Sequence, residues 1–487
     1  MECVEKRGHR FRLRAAVVAF ALAAAVAALF AGTAAGKPSA SPLKVAIMSD
    51  CKGAFGAFYN SDIAGSIAAF SQFTGAKPKD PTNPSAGMVG GSIGGHPIQV
   101  VGFGCGNDTV PLAISEIKRL MEQLGAELEI GPLSGAESIA IANYAKAHPT
   151  KTFMNGTAGA QETTLKVRAP NFFRFNGDGA QWNAGIGEIA YNRLHWRKVA
   201  LIEDDYAFAY ASAAGMIADF CALGGKVVKR VAPPLNTTDY SSYVRQLPPP
   251  NKVDGYFWVV GGSGTVPSLK AYESVYGPIS AKKFIGNLFF ATPGSYEQLA
   301  PRINGAYVGG FGNAPDLKSA ASYNSIIGHW FKSFPEFPNA TAESQAGNGF
   351  VYNYYMNTWG LILGLKKVNG DLSGGQKKLQ AAIVTVGKHG INAGYGNVTL
   401  DQNRQAIQDQ YSYKLVVGKN GAPGVKTIMT IPKVDESWGG HFTSSTPNLG
   451  RNYPTCTKFT LPWLGKQHFV KNGVIDGPVG TNWAKLP

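Results

Sequence analysis

Leu128-Glu129-Ile130-Gly131-Pro132-Leu133-Ser134-Gly135 and, sixteen residues further on, Lys151-Thr152-Phe153-Met154-Asn155-Gly156-Thr157-Ala158-Gly159 share one pattern. A short apolar run gives way to residues without bulk. Such runs read as buried strands, and their small-residue ends leave backbone N–H groups and hydroxyls open to a neighbour. The first turn leads into a helical pattern over 138–147. The free N–H groups at that helix start would point into the same space, a setting that favours a carboxylate or another anion.

The alternation extends in both directions. Toward the N-terminus, 43–48 and 98–101 read as strands and 59–70 as a helix. Residues 110–124 carry an i, i+3, i+4 stripe of Ile114, Ile117, Leu120, Met121 and Leu124, with Thr109 as cap and Pro111 in the first turn. Toward the C-terminus, helices are expected over 182–192, 210–223, 240–247 and 266–276. Strands are expected over 198–202, 226–231, 256–260 and 283–285. Strands alternating with helices predict parallel sheets covered on both faces, with ligands beyond the carboxyl ends of the strands. Both small turns lie at that edge. Residues 322–331 and 350–367 read as helices and 411–417 as a strand. Residues 436–487, rich in Gly, Pro and Asn, read as an extended surface tail.

Composition bounds the rest. The first 36 residues read as a signal peptide: Lys6, Arg7, Arg10, Arg12 and Arg14 precede an Ala-rich apolar run, and Thr33-Ala34-Ala35 offers a cleavage site. An uncleaved anchor is the alternative, but the run of about sixteen residues is shorter than the roughly 20 a spanning helix needs. Cleavage would remove five Lys/Arg and two Asp/Glu, leaving most of the +15 charge. Those charges are scattered, so no nucleic-acid partner is expected. The four remaining cysteines suit an oxidising compartment. Three pairings are open to them, or free thiols. Cys51 and Cys105 each follow an early strand, which favours Cys51–Cys105 and then Cys221–Cys456.

Chemical motifs are sparse. Gly90-Gly91-Ser92-Ile93-Gly94 matches a nucleophile elbow in letters, but a loop precedes it and a strand follows, the reverse of what an elbow requires. The eight His are dispersed, so no metal is expected, and no cofactor fingerprint is present. Glu203-Asp204-Asp205 reads either as a solvated loop or as a rim that orients Tyr206 or holds a ligand amine. Phe58, Tyr206 and Phe350 are candidate pocket walls, with core packing as the alternative for each.

The order of these segments resembles the type I periplasmic solute-binding proteins, specifically the leucine/isoleucine/valine-binding branch that feeds ABC importers. The resemblance rests on Lys44-Val45-Ala46-Ile47, Ile130-Gly131-Pro132-Leu133-Ser134, Asn155-Gly156-Thr157, Phe172-Phe173-Arg174-Phe175, Val199-Ala200-Leu201-Ile202-Glu203-Asp204-Asp205-Tyr206 and Val398-Thr399-Leu400-Asp401. It covers roughly 43–417. It implies an α/β fold of two Rossmann-like lobes joined by a three-strand hinge, with the ligand in the cleft between them. Lobe I would be 43–176 plus 316–397, and lobe II 177–315 plus 398–435. The implied ligand contacts are Ser134, Gly135, Gly156, Thr157 and Ala158 from the small turns, Phe58 and Phe350 from lobe I, and Tyr206 and Ser263 from lobe II. A monomeric, non-enzymatic periplasmic protein is implied, with an ABC permease and a small solute as partners; a ligand sensor of the same fold and a secreted hydrolase using Ser92 are the alternatives. The sequence departs from amino-acid binders at three places. Ala158 stands where a hydroxyl is usual, Ser263 replaces a tyrosine, and Leu288 falls where a carboxylate would meet an α-ammonium. Unless Asp205 substitutes, the solute lacks an ammonium and is an aromatic or aliphatic carboxylate, an amide or a similar small organic molecule.

Overall fold

The computed structural model describes residues 40–331, 349–417 and 423–487; the signal-peptide reading at 1–36 lies outside them. Two sheets organise residues 43–487. The first contains β1 (Leu43–Asp50), β2 (Ser92–Ile93), β3 (His96–Gly106), β4 (Leu128–Ile130), β5 (Thr152–Met154) and β6 (Phe172–Phe173), in the order β2-β3-β1-β4-β5-β6. All neighbours are parallel except β2, which pairs antiparallel with β3. β4 and β5 are buried on both faces, as the inner strands of a covered parallel sheet are.

The second sheet contains β7 (Lys198–Glu203), β8 (Lys226–Val231), β9 (Gly255–Val259), β10 (Phe284–Gly286), β11 (Tyr307–Gly309), β12 (Ala406–Val417), β13 (Pro423–Val434), β14 (His468–Lys471) and β15 (Val474–Pro478). Its order is β8-β7-β9-β10-β11-β12-β13-β14-β15. The first five strands are mutually parallel and the last four antiparallel. The reading of 436–487 as an extended tail therefore needs correction. It supplies β14 and β15, because β13 offers a free edge to Phe469 and His468.

The chain passes between the sheets three times: after Phe173, after Gly309, and again before Ala406. The stretch after Gly309 returns to the first sheet as a helix over Gly349–Lys367, packed against the helix Tyr59–Thr74. Gly65 makes that approach possible: a Cβ there would meet Tyr354 Cβ at 3.0 Å. The helix expected over 182–192 is interrupted. Gly185 at φ 85° separates Gly179–Trp182 from Ile186–Glu188, and a wider π-turn over Ile189–Arg193 follows. Cys51 is bonded to Cys105 and Cys221 to Cys456.

Where the passages meet, Arg174 is wholly buried. Its guanidinium hydrogen-bonds Gln405, Thr164 and the Ala160 carbonyl (2.7 Å to the last), and Asp178 lies 4.0 Å away. A buried cation needs such a shell of acceptors. Gln405 Nε2 donates to Asn176 O (2.8 Å), and Asn176 Oδ1 accepts from Asn357 (2.7 Å) and Asn155 (3.0 Å). This polar knot ties the first and third passages to the helix Gly349–Lys367.

Candidate functional site

Strand order locates the site. In the first sheet the chain runs from β1 outward to β3, then crosses to β4 on the other side of β1. In the second it runs from β7 to β8, then crosses to β9. Each sheet thus has a switch point at the carboxyl ends of its first strand and that strand's later partner, where loops diverge and a crevice opens. The loops after β1 and β4 carry Phe55, Phe58, Ser134 and Gly135. Those after β7 and β9 carry Tyr206 and Ser263.

These two sets of loops touch. The Tyr206 hydroxyl accepts the Gly135 N–H (2.7 Å) and lies 2.5 Å from Ser134 Oγ. The helix Gly135–Ala147 begins there, so the tyrosine oxygen sits on a free N–H at the positive end of the helix. The sequence reading started that helix three residues later; Ser134 is the N-cap. Nearby, the Ser263 N–H donates to Ala54 O (2.9 Å). Ser263 itself is exposed, so it ties the rims together instead of lining a buried wall.

An aromatic cluster fills the space beside this contact. Phe58 stacks on Phe350 with centroids 4.0 Å apart, and Phe55 stacks on Phe289 at 5.3 Å. Phe289 also meets Phe58 (5.9 Å), Phe208 (5.9 Å) and Phe350 (6.2 Å). Phe311 stands edge-on to Phe350 at 4.9 Å, and Phe55 is 5.7 Å from Tyr206. Phe55, Phe208, Phe289 and Phe311 were missed by sequence reasoning. Only the Leu288-Phe289-Phe290 run after a predicted strand, and Phe55 three residues before Phe58, could have signalled them.

The second small turn is used differently from the expectation. Thr157 Oγ1 donates to Asp62 (3.2 Å), with Phe350 O at 3.4 Å. The Ala158 N–H donates to Pro132 O (3.3 Å). Gly156 lies against Tyr354, and its carbonyl accepts from Asn357 (3.0 Å). The Thr157 hydroxyl and the Ala158 N–H are thus committed inside the first lobe. Asp205 does not substitute for a carboxylate at Leu288, because it pairs with Arg451 and Tyr210. Ser92 is exposed on β2, with a turn and then β3 after it, so the elbow geometry is absent.

Three carboxyls lie close to Tyr206. Asp108 Oδ2 accepts the Ala54 N–H (2.9 Å), Glu137 Oε1 accepts the Asn107 N–H (3.1 Å), and Asp50 Oδ1 lies 3.4 Å from the Asp108 N–H. Among the described residues no Lys or Arg forms a hydrogen bond or ion pair with any of them. Burial pushes Asp108 up to about 6 and Glu137 up to about 7. Burial first, then the charges of Glu137 and Asp108, hold Asp50 well above the usual range. Burial, aided by the same carboxylates, also keeps the Tyr206 phenol protonated far beyond neutral pH. Asp204, from the second lobe, is buried with its Oδ2 on the Gly261 N–H (2.8 Å).

Two cavities lie away from this contact. One of about 610 Å³ is lined by Arg168, Asp401, Glu436 and Phe442 among others. One of about 390 Å³ surrounds the Cys221–Cys456 bond. Among the described residues no group of His, Cys, Asp and Glu has metal-binding geometry, and no helix is long and apolar enough to cross a membrane.

Known proteins share this architecture. A solute-binding protein of an ABC transporter from R. palustris, solved with benzoate, superposes with a TM-score of 0.64 at 20% identity, over 81% of this chain and 98% of that one. The leucine binding protein LivK from Thermotoga maritima MSB8 gives 0.63 at 16% identity, over 80% and 99%. An ABC transporter substrate-binding protein from Sphaerobacter thermophilus gives 0.64 at 17%, over 81% and 99%. No curated protein matches the sequence. The family model described as periplasmic binding protein matches residues 42–422. With two doubly wound lobes whose switch points face each other, this chain belongs to the periplasmic binding protein family and has its type I fold.

Proposed function

We propose that this protein is the periplasmic solute-binding component of an ABC importer, exported by a cleaved signal peptide and without catalytic activity. Its solute is a small carboxylate with an aromatic or aliphatic body, held between the lobes. The observation that carries this reading is the pair formed by the Gly135 N–H and Ser134 Oγ, which the Tyr206 hydroxyl now satisfies. A carboxylate oxygen presents the same acceptor with a full charge and gains more from the helix end. The solute body would lie among Phe55, Phe58, Phe289 and Phe350, whose flat faces suit a ring. Relatives of the same fold have been solved with benzoate, 4-hydroxybenzoate and 3,4-dihydroxybenzoic acid, which supports the choice of probes.

A second reading is favoured by Asp50, Asp108 and Glu137. Their unpaired oxygens could meet a solute ammonium, which would make the ligand an amino acid or amine. Thermal-shift screening against benzoates, aliphatic acids, branched-chain amino acids and the matching amines separates the two. Stabilisation by simple carboxylates supports the first reading, and stabilisation by amines or amino acids alone supports the second. Stabilisation by none of them, or turnover of any probe, would contradict both.

A further inference from the structure

Residues 436–456 leave the second lobe at the end of β13, touch the first lobe, and return to the second. At the outward end, Glu436 is buried. Its Oε2 accepts from Thr164 Oγ1 (2.8 Å), its Oε1 from Asn403 (2.8 Å), and its backbone carbonyl from Gln161 Nε2 (2.9 Å). Gln161 and Thr164 lie between β5 and β6, and the turn Thr163–Val167 packs on the helix Gly135–Ala147. Lys166 Nζ from the same turn hydrogen-bonds Thr446 O. The Leu449 N–H then donates to Glu162 Oε1 (2.9 Å).

The next residue changes sides. Gly450 O accepts from Arg230 (2.8 Å), itself paired with Glu203 (2.6 Å), and Arg451 pairs with Asp205. Arg230, Glu203 and Asp205 stand at the carboxyl ends of β8 and β7, the edge that carries Tyr206. Adjacent residues Leu449 and Gly450 therefore bind opposite lobes at the rim of the cleft. Beyond them Cys456 is bonded to Cys221. Trp438 packs on Trp463 (4.7 Å), whose Nε1 donates to Glu188 (2.9 Å). Both ends of the segment are thus rooted in the second lobe by covalent and apolar contacts, while its hold on the first is made of hydrogen bonds. The whole segment lies beyond residue 422, where the family match ends.

We propose that residues 436–456 form a clasp, fixed to the second lobe and gripping the first at Glu162, Thr164 and Lys166, which must let go before the lobes part to exchange solute. The outer part of the grip, at Lys166 and Glu162, is reversible because it consists of part-buried hydrogen bonds, whereas the covalent root is not. Any device that binds one arrangement of the lobes better than the other shifts their balance by that difference. The clasp does so whichever solute the cleft takes.

Spin labels at Asn143→Cys and Lys270→Cys, exposed positions on the two lobes, report the opening by pulsed electron resonance in solute-free protein. In the otherwise unchanged chain one narrow distance is expected. Glu162→Ala with Lys166→Ala should move a substantial fraction of molecules to a longer, broader distance, and Glu162→Gln, which keeps the acceptor oxygen, should restore the narrow one. Lys166→Ala alone, at a half-buried rim position, should give a smaller shift in the same direction and decides the matter if the double variant does not fold. A distribution that superposes on the starting one in Lys166→Ala, or in a folded double variant, overturns the proposal.

Discussion

Tyr206→Phe removes one oxygen and keeps the ring beside Phe55. That oxygen accepts the Gly135 N–H and pairs with Ser134 Oγ across the two lobes. Two hydrogen bonds at about 1 kcal/mol each give a loss of roughly 2 kcal/mol, more if the buried N–H finds no water. With an unfolding entropy of about 2.1 cal/mol/K per residue over roughly 450 residues, this lowers the melting temperature by about 2 °C. A bound carboxylate supplies the missing acceptor. In the variant it meets an unoccupied helix end, whereas in the parent it must displace the phenol. The proposed site therefore predicts that carboxylates bind the variant more tightly, by up to about 30-fold for 2 kcal/mol. Paired thermal-shift and calorimetric titrations with benzoate and 4-hydroxybenzoate measure both quantities. Weaker binding to the variant, with the same loss of stability, would refute the displacement argument and make Tyr206 a direct partner of the solute.

Three further outcomes follow from the geometry. Stability should fall as pH rises from about 4 to 8. Asp108 and Glu137, which pair with no cation among the described residues, keep protons in the fold that the unfolded chain releases near pH 4, and a native state that binds more protons loses stability with rising pH. Asp50→Asn should flatten that slope in melting curves, and a flat parent profile between pH 5 and 8 would contradict the assignment. Gly156→Ala should destabilise by roughly 1–3 kcal/mol in chemical denaturation, because the added carbon meets Pro132 O at 2.5 Å and the buried Tyr354 ring. Thr157→Val should lose about 1 kcal/mol of stability with the hydrogen bond to Asp62, while affinity for a carboxylate stays within a few-fold. A tenfold loss of affinity with full stability would return Thr157 to the ligand contacts.

The helices and strands of both lobes were legible because each is a strong local signal: apolar runs such as Gly255–Val259, and a clear stripe at Ile114, Ile117 and Leu120. The small turns marked the cleft edge for the same reason. The use of each turn residue was not legible. Thr157 and Ala158 carry the same letters whether their polar groups face a solute or a neighbour, and Asp62 and Tyr354 come from helices far away in the chain. Phe55 and Phe289 belong to opposite lobes, so their stacking exists only once both lobes are placed. The C-terminal segment was misread because its strands are short, and β15 is exposed along its length. It is held instead by a disulfide and by β13, neither of which leaves a periodic pattern.

The central claim is that a solute carboxylate takes the place of the Tyr206 hydroxyl between the lobes. A crystal structure with the best-binding carboxylate from the thermal-shift panel tests it most directly. The account predicts carboxylate oxygens within hydrogen-bond distance of the Gly135 N–H and Ser134 Oγ, with the solute body among Phe55, Phe58, Phe289 and Phe350. A carboxylate bound elsewhere, with Tyr206 still seated on Gly135, would contradict it.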